Sequence, residues 1–369
     1  MNQLFRWNQM GLFLLALAAG ILPFAVPEVC AAALREGLTL CSGPLLLSLF
    51  PFLVVSRLLV QCPESDLLAL PFRLAAWGIG IRTPCAARVL CIGFLGGFAP
   101  AASAAAQAVR TGQLTVEEAD ALLPACICSG PSFVVLTVGQ SLLGSAELGV
   151  LLFASQITAN YLTAALLNRF AGVRSVKPGS AAPASPAPPR LDEILADAAI
   201  TYCKLCGFIL FFRMLAAGAG ALLPAGAGTL CAVLLEVCSG CDLASRTGRW
   251  GSLLCCAALS VQGLSVLLQV RTICPPEMTL RPLYRARMLH LPLSLALFYL
   301  LLPGGEVDVF STLPARVLLM RRVPPDCALL VFAVCCMAAC TLRSGIRQVE
   351  QKQMARNAGG CCINSKTLL

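Results

Sequence analysis

Charge is scarce in this chain. Of its 369 residues, 12% are Asp, Glu, Lys or Arg, about half of what a soluble domain carries. So few charges cannot cover the surface of a water-soluble fold of this size. Histidine is rarer still. There is one, His290, and a single imidazole excludes most histidine-based metal centres. The catalytic signatures that can be read from spacing are missing as well. There is no HExxH, no P-loop and no GxSxG, and Gly93-x-x-Gly96-Gly97 follows no strand, so helix packing accounts for it. An enzyme is therefore not expected, and neither is a cofactor.

What the chain has in quantity is apolar sequence: 58% of residues are hydrophobic and the mean hydropathy is +0.82. The net charge is +9. In a soluble protein that would suggest nucleic acid. Here the Lys and Arg residues sit in short segments between apolar runs, as cytoplasmic loops do under the positive-inside rule. Those segments lack the interleaved aromatics of a single-strand binder, so the expected partner is a lipid bilayer and not nucleic acid. The 21 cysteines fall mostly inside apolar runs, such as Cys255-Cys256 and Cys335-Cys336, and read as small hydrophobes. Cys203-x-x-Cys206 and Cys238-x-x-Cys241 have redox or zinc spacing but lie in apolar helical context, where closed zinc sites are uncommon.

Ten apolar elements approach membrane-span length: 10–29, 38–60, 85–106, 121–141, 147–168, 199–222, 225–243, 251–270, 283–302 and 325–342. The first follows Arg6 with no clean small-x-small cleavage site and reads as a transmembrane helix rather than a signal peptide. The segment 67–80 carries Arg73 and Trp77, is too mixed to span, and is expected at the interface. Thr115-Val116-Glu117-Glu118 is a helix start, with a hydroxyl cap and acids in the first turn. A Pro/Ala/Ser-rich linker divides the chain near its middle. The resulting organisation is an N-terminal transmembrane helix (1–33), a first repeat (34–170), a cytoplasmic linker (171–198), a second repeat (199–302), a C-terminal transmembrane helix with its preceding loop (303–342) and a basic cytoplasmic tail (343–369).

Charge counting sets the topology. If all ten elements cross, the basic residues divide almost evenly between the two sides. If 85–106 and 225–243 are re-entrant hairpins, 20 of the 27 Lys and Arg fall inside, among them Arg57, Arg110, Lys204 and Arg287, and six fall outside. The second arrangement obeys the positive-inside rule. It predicts eight spans, two hairpins and both termini in the cytoplasm. Each hairpin element is followed by an interrupted span, one reading Ser129-Gly130-Pro131-Ser132, the other Gln262-Gly263-Leu264-Ser265. Before the hairpins, Pro51-Phe52 through Arg57 loosely matches Gly207-Phe208 through Arg213. The expected fold is thus an all-α, polytopic transmembrane helical bundle of two inverted repeats, each with a re-entrant hairpin and an interrupted helix. That pattern is characteristic of secondary transporters.

The candidate substrate-binding residues follow from it. Ser129, Gly130 and Ser132 flank a break at Pro131, where freed backbone groups need protein, water or a ligand; a simple packing kink is the alternative. Glu236 is a carboxylate in an apolar element, with Ser239 and Gly240 beside it. It can bind a coupling proton or cation, pair with Arg213, or sit in water at a hairpin tip. Arg213 can neutralise an anionic substrate or pair with Glu236. Gln262, Ser265 and Gln269 are spaced to share one helical face, suiting a pathway or interhelical hydrogen bonds. Gln156 and Asn160 form a similar pair in the first half.

On these residues the chain resembles the YlbJ/SpoVV type of sporulation integral membrane proteins, which contain nucleoside-recognition (gate) domains. The resemblance rests on Leu234-Leu235-Glu236 through Gly240, Gly263-Leu264-Ser265-Val266 with Gln269, and Arg287-Met288-Leu289-His290. In the first half it rests on Gly130-Pro131-x-Phe133 ending at Gly139, Thr115 to Ala119, and Leu49-Phe50-Pro51-Phe52. It covers about Leu34 to Leu302. The first half departs from the family's pattern: Gly97 to Ala102 replaces a Gly-Tyr-Pro-x-Gly-Ala run, Ile127 and Cys128 stand where asparagines are frequent, and Gln156 replaces a histidine. The resemblance implies passage of a small anion, dipicolinate, during endospore formation, in the bacterial cytoplasmic membrane or the outer forespore membrane. Two alternatives stand beside it: a nucleoside- or cation-type gate-domain carrier, and a non-transporting assembly protein of the sporulation membrane.

Overall fold

The computed structural model describes residues 2–61, 63–171 and 190–302. Every regular element among them is helical. Most of the linker, the last predicted span and the basic tail lie outside the described residues.

Proline, glycine and two left-handed residues punctuate the chain. Helix α1 (Asn2–Ala25) meets α2 (Pro27–Ser42) where Pro27 opens a new first turn, a position that needs no N–H donor; the two axes are bent by 110°. Gly43 then separates α2 from α3 (Pro44–Gln61). The predicted elements 10–29 and 38–60 are thus divided differently, because the Pro27 and Gly43 breaks outweigh the continuity of the apolar run. After a short 3-10 turn comes α4 (Leu70–Gly78), with Leu67, Leu68, Leu70, Leu74 and Trp77 exposed.

The predicted element 85–106 is two helices, α5 (Pro84–Gly96) and α6 (Phe98–Arg110). At 13 residues each is about 20 Å long, too short for a hydrocarbon core of about 30 Å. They fold back on each other at Gly97, which has φ +81°: a Cβ placed on Gly93 would lie 3.2 Å from that of Ala101. Alanines 99, 101, 102, 104, 105, 106 and 108 of α6 are all buried, and side chains this small let neighbouring backbones approach. Helix α7 (Val116–Cys126) opens with a complete capping box between Thr115 and Glu118, as its sequence predicts. It ends at Ile127, and after a five-residue break the chain resumes as a π-helical segment (Ser132–Leu142). Helix α8 (Ala146–Ala171) closes the first half.

The second half also holds a long helix, a folded-back pair and an interrupted helix. Helix α9 (Leu191–Leu222) is followed by α10 (Ala225–Leu235) and α11 (Val237–Ser245), divided at Glu236. These fold back so that a Cβ on Gly240 would meet the Val233 backbone at 2.8 Å. Then α12 (Gly251–Val261) is interrupted at Gln262, in the left-handed region with φ 62°, and continues as α13 (Gly263–Ile273). Helix α14 (Arg281–Leu301) packs on α7, α8 and α12.

By length and apolarity, Ala146–Ala171, Leu191–Leu222 and Gly248–Ile273 can each cross a membrane, and the bent α1–α2 pair makes a fourth if it is one span. Phe24, Phe170, Met288 and Leu300 stand almost fully exposed on these and neighbouring helices, as lipid-facing side chains do. The described residues are thus all-helical, with three or four helical segments long and apolar enough to cross a membrane.

Candidate functional site

Each fold-back tip rests on the interruption of the helix that follows it. In the first half, a Cβ on Gly97 would lie 2.7 Å from the Gly130 nitrogen and 3.2 Å from the Cys128 carbonyl oxygen. In the second half, a Cβ on Gly263 would lie 2.9 Å from the Glu236 nitrogen and 2.9 Å from the Leu235 carbonyl carbon. Only glycine permits backbone to approach backbone this closely.

Side chains from both halves converge on one atom. The carbonyl of Ile127, freed where α7 ends, accepts from Arg287 Nη2 at 2.6 Å, Asn160 Nδ2 at 3.2 Å and Gln262 Nε2 at 3.3 Å. Arg287 Nη1 reaches back to the Ser260 carbonyl in the last turn of α12 at 3.4 Å. Beside this knot Gln156 Nε2 donates to Ser260 Oγ at 2.9 Å, and a ring nitrogen of His290 lies 3.2 Å from the Gln156 carbonyl. All of these side chains are nine-tenths buried or more. An unpaired carbonyl in an apolar interior costs about 1–3 kcal/mol, so three donors on one carbonyl hold the α7 break open against that penalty.

A second feature lies between α3, α6, α9 and α13. It is a cavity of about 300 Å³ lined by Arg57, Ser103, Arg110, Asp197, Thr201, Lys204 and Gln269, with Ile200, Leu205 and Phe208 forming part of its apolar wall. Arg57 is buried and its guanidinium is fully directed: Nη1 to Asp197 Oδ2 at 2.7 Å, Nε to Ser103 Oγ at 3.2 Å and Nη2 to Thr201 Oγ1 at 3.2 Å. Its carboxylate partner is 61% exposed, so Asp197 reaches in from the rim. Arg110 and Lys204 are exposed and have no carboxylate partner among the described residues. Three cations against one carboxylate make the cavity cationic, and a low-dielectric wall raises the field at its centre.

The predicted site residues divide among these places. Ser129 is buried at the α7 interruption with Gly130, while Ser132 points outward at the start of the π-helical segment. Glu236 is buried and caps α11, accepting from Cys238 N at 2.8 Å and Ser239 N at 2.7 Å; Gly240 is there for the close approach to Val233. Arg213 does not pair with Glu236. Its Nη2 bonds Glu36 Oε2 on α2 at 2.7 Å, while the Glu236 oxygens accept the backbone amides of the first turn of α11. Nor does Gln262 share a face with Ser265 and Gln269. The left-handed turn at Gln262 ends α12 and sends its side chain to Ile127, while Gln269 Nε2 bonds Ser265 Oγ at 2.9 Å on α13 and lines the cavity. The cysteine pairs hold neither a metal cluster nor a disulfide among the described residues.

Arg57, Asp197 and Thr201 are the residues sequence reasoning passed over. Arg57 lies near the end of an apolar run, and charge counting absorbed it as a loop cation. Its spacing from Asp197 across the linker left no local signal. No family model, curated protein or solved structure matches the chain.

Proposed function

We propose that this protein carries a small anionic metabolite across a bacterial membrane, with dipicolinate the leading candidate. The observation that carries the reading is the cationic cavity, built from α3 and α6 of the first half and α9 and α13 of the second. A solute held there contacts both halves, as alternating access requires. A volume of about 300 Å³ is at the lower end for small-molecule pockets and suits a solute of one ring. The Arg57 fork presents paired donors to a carboxylate, and Arg110 and Lys204 stand ready for a second one. Asp197, itself largely exposed, pairs with the Arg57 fork and competes with the solute's carboxylate for it.

In this account the fold-back pairs α5–α6 and α10–α11 are re-entrant hairpins of two inverted repeats, in an eight-span protein with both termini cytoplasmic. Arg57, Arg110 and Lys204 all fall on the cytoplasmic side of that topology, so the cavity faces the cytoplasm. The resemblance to YlbJ/SpoVV-type sporulation proteins favours dipicolinate as the solute and the cytoplasmic or outer forespore membrane as the location. Glu236 has the role of capping α11, each of its oxygens accepting a backbone amide.

Equilibrium binding of labelled dipicolinate to detergent-purified protein tests the site. Competition by unlabelled dipicolinate and other planar dicarboxylates, but not by uridine, is expected. Competition by nucleosides and not by dicarboxylates would reassign the cavity to a nucleoside carrier.

A further inference from the structure

Arg287 is a guanidinium deep inside a membrane protein with no carboxylate partner among the described residues. It is 8% exposed. A buried charge of this kind is costly unless something compensates it. Its two hydrogen-bond partners are Ile127 O, at the C-cap of α7, and Ser260 O, in the last turn of α12. Both are carbonyls at the C-terminal ends of interrupted helices, one from each half. Helix C-termini carry partial negative charge, and two of them converge on this one cation.

The surroundings are rich in oxygen. Asn160 and Gln262 each donate an amide N–H to Ile127 O, and the oxygen on the same amide carbon, Asn160 Oδ1 and Gln262 Oε1, has no partner. Both residues are 1% exposed. Buried side-chain oxygens left unsatisfied are rare and need a reason. Half-helix C-terminal carbonyls with nearby side-chain oxygens are the donor set that takes up a sodium-sized ion in transporters with broken helices, and hard monovalent and divalent cations select oxygen ligands.

We infer that the crossing of the two helix interruptions is a cation site whose permanent occupant is the Arg287 guanidinium, tethered where other broken-helix carriers would bind a mobile coupling ion. The charge is supplied once by the chain and does not exchange. The native protein therefore needs no sodium at this position, and removing the guanidinium opens a site for a small inorganic cation or for free guanidinium. This inference does not depend on which solute is carried.

The test is thermal stability of the purified full-length protein in detergent, in sodium chloride against choline chloride at equal ionic strength. The wild type is expected to melt at the same temperature in both. Arg287→Ala is expected to melt several degrees lower in choline and to recover in sodium, or in low-millimolar guanidinium, in a saturable way. Arg287→Lys, which keeps a tethered cation, is expected to ignore sodium. Adding Asn160→Leu to Arg287→Ala removes one oxygen ligand and is expected to abolish the recovery. A wild type stabilised by sodium over choline overturns the inference, because the site would then not be filled. So does an Arg287→Ala protein that no cation rescues, whether it is purified folded or recovered only as aggregate, when Arg287→Lys is well folded.

Discussion

A methyl group at Gly97 probes the contact on which the architecture depends. The residue has φ +81° and ψ −163°, a region open essentially to glycine and costing about 1–3 kcal/mol for any other residue. Its Cβ would also stand 2.7 Å from the nitrogen and 2.9 Å from the Cα of Gly130. Those are backbone atoms of the α7 interruption and cannot swing aside as a flexible side chain can. Forcing extra volume into a packed site adds about 1–3 kcal/mol, so Gly97→Ala should cost about 2–6 kcal/mol in all. Gly144 is the control. It has φ +72° but nothing within 4 Å of its Cβ position, so Gly144→Ala should cost only the left-handed penalty of about 1–2 kcal/mol. Gly263→Ala, with φ +69° and Glu236 and Leu235 backbone atoms at 2.9 Å, should behave like Gly97→Ala in the other half. The assay is the fraction of monodisperse protein left in detergent after heating across a temperature series. If Gly97→Ala melted no lower than Gly144→Ala, the tip of α5–α6 would not rest on the α7 break, and the pairing of tips with interruptions would fail.

Other consequences follow from the same geometry. Glu236→Ala strips the acceptor from Cys238 N and Ser239 N and should lower stability by about 1–2 kcal/mol, with Glu236→Asp milder; equal melting of wild type and Glu236→Ala would show that the cap contributes nothing. Arg213→Ala breaks a pair whose carboxylate partner, Glu36, is 66% exposed, so the lost ion pair should contribute no more than about 1 kcal/mol beside the lost packing of the side chain, and dipicolinate binding should be unchanged. Loss of binding in a folded Arg213→Ala would return that residue to the substrate site. Asp197→Asn should tighten dicarboxylate binding several-fold by freeing the Arg57 fork, whereas weaker binding would show that Asp197 holds Arg57 in place rather than competing for it.

Much of the chain's organisation is legible in its sequence, and the parts that are not share a physical cause. The interruptions at Pro131 and near Gln262 announce themselves, because proline and glycine break an apolar run where continuity is expected. Thr115 and Glu118 give a helix start by local chemistry alone. The polar character of Gln262, Ser265 and Gln269 is equally plain, yet Gln262 does not share the face that Ser265 and Gln269 form on α13. A single left-handed residue rotates everything after it, and glutamine at φ 62° has no sequence signature. The Arg213–Glu236 pairing fails for a different reason. Sequence shows two opposite charges in apolar context but not that Glu236 caps α11 while Arg213 reaches Glu36 on α2. Helices α4 to α8 and a linker separate Arg57 from Asp197, so only the fold brings them to one cavity.

The central claim is tested most directly by uptake of labelled dipicolinate into liposomes containing the purified protein, with Arg57→Ala measured beside the wild type. Saturable uptake by the wild type, lost in a folded Arg57→Ala, is the predicted result. No uptake by well-folded wild-type protein, or uptake that Arg57→Ala leaves intact, would contradict it.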